Sequence, residues 1–374
     1  MTVYQPKDAA DLAETVAGLG APVRIRGGGT RAIGQCSASD VLDLSAISGV
    51  VDYEPGALTL IAKAGTPVSE IEALLAGENQ RLAFEPMDHR ALLGTMGAPT
   101  IGGVFAANVS GPRRIAVGAC RDFALGVKFI DGTGRQLQNG GRVMKNVTGY
   151  DLVKLMAGSW GALGVLHEVS LKVMPAPETE VTLVFDTPDA EAALAVMSGA
   201  LGSPFEATGA AYAPEWGKAY LRLEGFETSV RYRAGELQAR LGDAEILQED
   251  ASRPLWRDLG NVTDFSEAGY VATVSIRPAH MPKLAARLSG PWLADWGGGL
   301  VWAAGETGDA ARITDELRGF VAEHGGHCTV VKAPEEAGLA VFQPEAPAVA
   351  RLSDEVRRKF DPAGFLNPGL MAGA

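Results

Sequence analysis

Cysteine is scarce: Cys36, Cys120 and Cys328 are the only three, far apart and with no Cys-x-x-Cys pair. That excludes an iron–sulfur cluster bound by the usual spacing, and it points to free thiols in a reducing compartment. Basic charge is also short. A net charge of −12 argues against nucleic acid as a partner and against docking on an anionic membrane through a basic patch. No apolar run reaches the roughly 20 residues of a transmembrane helix. Met1–Ala10 carries neither a basic n-region nor an apolar h-region, so no signal peptide is expected there. What is abundant is glycine. Forty-seven glycines exceed the usual share of about 7%, and many cluster between residues 26 and 164. Glycine serves where backbone turns sharply or approaches a ligand closely.

At 374 residues, two or three domains are expected. Asp8 caps a predicted helix to Leu19 with Leu12 and Val16 on its apolar stripe. Val23–Arg26 alternates as a strand and runs into Gly27-Gly28-Gly29. Further strands are predicted at Val41–Leu44, Leu58–Ala64, Val127–Ile130 and Leu163–Val173, and a helix after Pro67. Phe84–Pro112 reads as a long irregular stretch, and such stretches are usually functional. After Pro177 the pattern becomes βαββαβ, and the order recurs from Val271 to Val331. We expect two ferredoxin-like units sharing one antiparallel sheet. A helix, Ala348–Phe360, and a turn-rich tail close the chain.

A strand entering three glycines presents backbone N–H groups to an anion, although a flexible turn reads the same way. The Rossmann fingerprint fails because Ala32 stands where the third glycine belongs. The P-loop fails because Gln35 and Cys36 follow Gly34. Two more small-residue segments, Thr100–Asn108 and Gly158–Leu166, turn a lone nest into a cradle suited to an elongated cofactor.

These three segments resemble the FAD-binding PCMH-type domain of the vanillyl-alcohol-oxidase flavoproteins. The tail Phe360-Asp361-Pro362…Leu366-Asn367-Pro368-Gly369 is similar to the closing motif of that family's 2-hydroxy-acid-oxidising branch. The run Lys145–Leu152 resembles the FAD-binding (E-type) subunits of bacterial glycolate oxidase. The resemblance is specific across residues 23–174 and the tail, and loose across 178–330.

The resemblance implies an α+β fold: an FAD-binding domain of two α+β subdomains at 1–176, a ferredoxin-like cap at 177–332, and a return segment at 333–374 packing on the FAD domain. It implies that Arg26, Gly27, Gly28, Gly29, Thr30 and Arg31 hold the FAD diphosphate. Pro86, Thr100, Gly102, Gly103, Ala106, Ala107 and Asn108 would line the flavin and ribityl chain. Gly161, Gly164 and Val165 would close the far side. Many members tether FAD through a histidine in the first loop; Thr30 and Arg31 stand there, so non-covalent FAD is expected.

Oxidising a 2-hydroxy acid needs a base and a cation for the carboxylate. The family's His-x-Gly-Asp-Gly-Asn run is reduced here to His324-Gly325-Gly326-His327, without Asp-Gly-Asn. No metal is expected. His89, Arg114 and Tyr150 remain as catalytic candidates, each with a structural alternative. Arg113 and Arg114 read equally as a carboxylate clamp, a phosphate contact or a solvated pair. Trp292 and Trp296 read as sheet core or partner-facing surface. The resemblance therefore implies an FAD-binding subunit of a glycolate oxidase-type complex, cytoplasmic or held at the inner membrane face by partners. Those partners would be a second FAD-binding subunit and an iron–sulfur subunit. The alternatives are a stand-alone 2-hydroxy acid dehydrogenase and a scaffold with structural flavin.

Overall fold

A computed structural model describes residues 1–142 and 149–371. The chain divides into two compact units. One comprises residues 1–110, 118–176 and 344–374; the other comprises 111–117 and 177–343. Relative to the sequence-based division, 111–117 and 333–343 both belong to the second unit.

The first unit holds a small parallel sheet in the order Val3–Tyr4, Asp40–Asp43, Val23–Arg26. Helix Ala9–Ala17 covers it. Asp8 caps that helix by accepting from the N–H groups of Ala10 and Asp11, and Leu12 and Val16 are buried beneath it. A five-stranded antiparallel sheet follows, ordered Val50–Glu54, Thr59–Lys63, Val165–Lys172, Ala124–Ile130, Gln136–Gly140.

The expected irregular stretch 84–112 contains helices Arg90–Leu93 and Ile101–Ala106. Gly102 and Gly103 lower helix propensity and hide the second one from sequence. It forms because Thr100 caps it and because the Gly102 N–H bonds the Ala64 carbonyl at 2.8 Å. Of the Lys145–Leu152 run, residues 145–148 lie outside the described residues.

The second unit is built on one eight-stranded antiparallel sheet, ordered Glu245–Leu247, Thr179–Asp186, Lys218–Gly225, Gly209–Ala213, Trp292–Asp295, Leu300–Gly305, Tyr270–Ser275, His327–Lys332. In each half the first strand lies between the fourth and the third, the ferredoxin-like order. The two second strands meet where Tyr212 pairs with Ala294. Helix Glu249–Asn261 lies between the repeats, outside the elements expected from the sequence. It runs unbroken through Pro254, and its buried side is Ser252, Trp256 and Leu259.

Segment 111–117 is anchored within this second unit. Arg113 donates through Nε to Glu224 Oε2 at 2.8 Å and pairs through Nη2 with Oε1, both side chains being buried. The Trp296 indole N–H donates to the Gly111 carbonyl at 3.1 Å, and the Arg114 guanidinium stacks 4.4 Å from the Trp296 ring centroid. No helix among the described residues is long and apolar enough to cross a membrane.

Candidate cofactor site

Strand Val23–Arg26 is stapled at its end. Arg26 reaches Asp43 on the neighbouring strand at 2.6 Å, and the Arg26 carbonyl accepts from the Leu44 N–H at 2.8 Å. The chain then enters the glycine loop, which crosses a second loop at Gly97-Ala98. A Cβ on Gly28 would lie 1.6 Å from the Ala98 carbonyl oxygen, and a Cβ on Gly97 would lie 1.7 Å from that of Gly28. Only side-chain-free backbone permits this crossing.

The tail supplies the far wall. The Asn367 Oδ1 accepts from the Ile25 N–H at 2.7 Å, and its Nδ2 donates to the Trp160 carbonyl at 2.7 Å. The Asn367 N–H bonds the Val23 carbonyl at 3.0 Å. One side chain thus ties the nest-bearing strand to the third small-residue segment. Gly161 takes φ +77° there, and a Cβ on it would lie 2.8 Å from Asn367 Nδ2.

These walls line a half-open cavity of about 800 Å³, within the roughly 300–1,000 Å³ of cofactor sites. The structure brings together Arg26, Gly27, Gly28, Gly29, Thr30 and Arg31 with Thr100, Gly102, Gly103, Ala106, Ala107, Gly161 and Gly164 around it. Three expected residues stand apart from this lining. Val165 is fully buried in the apolar core, Asn108 accepts from the Arg121 N–H at 3.0 Å, and Pro86 is half-buried. Sequence reasoning missed Gly97 as a crossing point and Asn367 as a wall residue. The glycine in Met96-Gly97-Ala98-Pro99 and the tail motif were the available signals.

The catalytic candidates do not meet in the cavity. Arg114 is on Trp296, as above, and Tyr150 is 88% exposed. His89 is buried behind Arg31, whose Nε lies 3.4 Å from its Nδ1. Burial, then the Arg31 charge, push the His89 pKa down to about 3, so the ring is neutral. The same Nδ1 lies 3.3 Å from the Met87 carbonyl. That nitrogen accepts from Arg31 in one tautomer and donates to Met87 in the other. Burial lowers Arg31 to about 10, which leaves it a cation at neutral pH. Among the other histidines, His324 packs against His280 and Phe320, and His167 is buried in its strand. No cluster of three metal-ligating side chains occurs among the described residues.

A side-chain-free nest, a half-open cavity and a buried cation among its lining residues fit a diphosphate-bearing dinucleotide. Comparison with known proteins agrees. A family model described as "FAD binding domain" matches residues 2–140. Glycolate oxidase subunit GlcE of Escherichia coli is 35% identical over 94% of this chain and 92% of its own length. Glycolate oxidase subunit GlcD of Bacillus subtilis is 31% identical over 44% of this chain and 34% of its own. Among solved structures, an alkyldihydroxyacetonephosphate synthase matches with a TM-score of 0.71 at 16% identity, over 98% of this chain and 75% of that one. It shares the fold.

The fold and site define an FAD-binding oxidoreductase of the PCMH type. Within that class, the chain belongs to the glycolate oxidase subunit GlcE family.

Proposed function

We propose that this chain is the FAD-binding subunit of a glycolate oxidase-type complex, working beside a second flavoprotein subunit and an iron–sulfur subunit in the cytoplasm or at the inner membrane face. The observation that carries the reading is likeness to subunit GlcE along nearly the whole of both chains. Oxidation of glycolate to glyoxylate removes two electrons and two protons from the CH–OH carbon and oxygen. FAD bound to this chain would supply a two-electron carrier between the substrate-oxidising subunit and the iron–sulfur partner.

The chain's own residues bind and orient. Arg26, Gly27, Gly28, Gly29, Thr30 and Arg31 would receive the diphosphate through backbone N–H groups and the Arg31 cation. Thr100, Gly102, Gly103, Ala106 and Ala107 would face the flavin and ribityl part, with Gly161 and Gly164 opposite. Neither Thr30 nor Arg31 offers an imidazole for a tether, so FAD is held non-covalently.

His89 is buried and neutral between Arg31 and the Met87 carbonyl, and Arg114 is engaged by Trp296. These engagements favour deprotonation of the substrate on the second flavoprotein subunit. Anaerobic titration with glycolate tests this. The flavin of the co-purified complex should bleach, and that of the isolated chain should not. Bleaching of the isolated chain by glycolate would overturn the division of labour and favour a stand-alone dehydrogenase.

A further inference from the structure

We propose that an acid-rimmed apolar notch at the seam of the two ferredoxin-like halves seats a lysine side chain of a partner subunit, with Glu215, Asp258 and Asp264 meeting its ammonium and Trp216 covering its methylenes. The partner is a subunit of the complex proposed above, so the inference rests on that reading.

The notch is built within the second unit. Strands Gly209–Ala213 and Trp292–Asp295 meet there, where Tyr212 pairs with Ala294. A turn over residues 214–217 leaves the first of these strands and carries Glu215 and Trp216. Helix Glu249–Asn261 reverses at Val262, with φ +52°, into the short turn Thr263–Phe265 that carries Asp264. Leu259, Phe265 and Leu293 give the notch a buried apolar lining. Trp292 is held edge-on to Tyr212, ring centroids 5.5 Å apart, whereas Trp216 is 50% exposed.

The charge around this lining has one sign. Glu215, Asp258 and Asp264 are exposed, and none pairs with a cation among the described residues. Partial burial, and then the charges of Glu215 and Asp258, push the Asp264 pKa upward. Asp258 stands in the last turn of its helix, where the carbonyl ends favour a cation, and that turn holds no basic residue. Both placements work against the folded chain alone, and an arriving cation relieves both.

Size and surroundings choose the cation. The three carboxylates do not form a metal-ligating group. The notch has room of about 20 Å³, enough for one water-sized group such as an ammonium and too little for a metabolite or a planar guanidinium. So small a group binds firmly only with support from the surface around it. An exposed tryptophan supplies that support to the apolar stem of a lysine, and tryptophan is favoured where proteins meet.

The test measures association of the full FAD-loaded chain with the purified partner subunits at low and high salt. Glu215→Gln with Asp264→Asn should weaken association about tenfold and flatten its salt dependence. Trp216→Ala should weaken it about as much and keep the salt dependence. Both variants should retain wild-type FAD content, and the double variant should have a urea midpoint no lower than wild type, because it relieves repulsion. Carbodiimide coupling, which joins carboxylates to amines without a spacer, should link Glu215, Asp258 or Asp264 to a lysine of a partner subunit. Wild-type affinity in both variants, or a link to a second copy of this chain in place of a partner subunit, would overturn the proposal. Failure of the wild-type chain to associate with any partner subunit would instead overturn the reading of the complex, and this inference with it.

Discussion

Arg113 and Glu224 form a forked ion pair whose two side chains are each 3% exposed. Glu224 also lies 3.7 Å from the buried Arg222, which stacks over Trp256. One carboxylate therefore serves two buried guanidiniums. Removing one member of a buried charge set costs about 3–5 kcal/mol. Glu224→Gln should lower stability by about that amount in chemical denaturation, and the double change Arg113→Met with Glu224→Leu should cost less than the two singles added. Strict additivity would argue against the coupling.

Asn367 is the second test. Asn367→Ala strands the Ile25 N–H and the Trp160 carbonyl, and it places alanine at φ +47°. An unsatisfied buried group costs about 1–3 kcal/mol. We expect a loss of about 2 kcal/mol in denaturation and faster FAD release in a fluorescence chase. Unchanged release would remove Asn367 from the cavity wall.

The crossing of Gly28 and Gly97 gives a sharper expectation. Gly97→Ala must displace backbone, because its Cβ would meet the Gly28 carbonyl. Overpacking of this kind costs about 1–3 kcal/mol. The FAD dissociation constant should rise at least tenfold while the far-UV circular dichroism stays native. Wild-type affinity in this variant would mean that the crossing does not shape the site.

Two histidines give the pH dependence its direction. Burial pushes His89 down to about 3 and His167 to about 4, against about 6.5 in the unfolded chain. Their stability contribution is complete above about pH 6.5 and is lost as pH falls toward those values. Each can withdraw up to about 1.4 kcal/mol per pH unit between 6.5 and 4.5. Urea midpoints should fall on acidification in that window, and His167→Gln should flatten the fall. A midpoint independent of pH from 7.5 to 5 would contradict the burial of both rings in neutral form.

The cradle was legible because its chemistry is local. A strand followed by three glycines reads the same in sequence and in space, and the ferredoxin-like repeats announce themselves through alternating strands. Other features depend on contacts that sequence spacing hides. Asn367 reaches Ile25 across 342 positions, and Arg31 reaches His89 across 58. Arg113 and Arg114 read as a possible clamp because their partners, Glu224 and Trp296, lie in another region of the chain. Helix Ile101–Ala106 was hidden by Gly102 and Gly103, of which Gly102 packs closely against Ala64.

The central claim is that this cavity holds FAD without a covalent bond. Acid precipitation of the purified chain, followed by flavin absorbance of pellet and supernatant, tests it most directly, with Gly28→Asp alongside. The wild-type chain should release about one FAD per chain into the supernatant, and Gly28→Asp should carry almost none. Flavin retained in the wild-type pellet, or equal flavin in both proteins, would contradict the account.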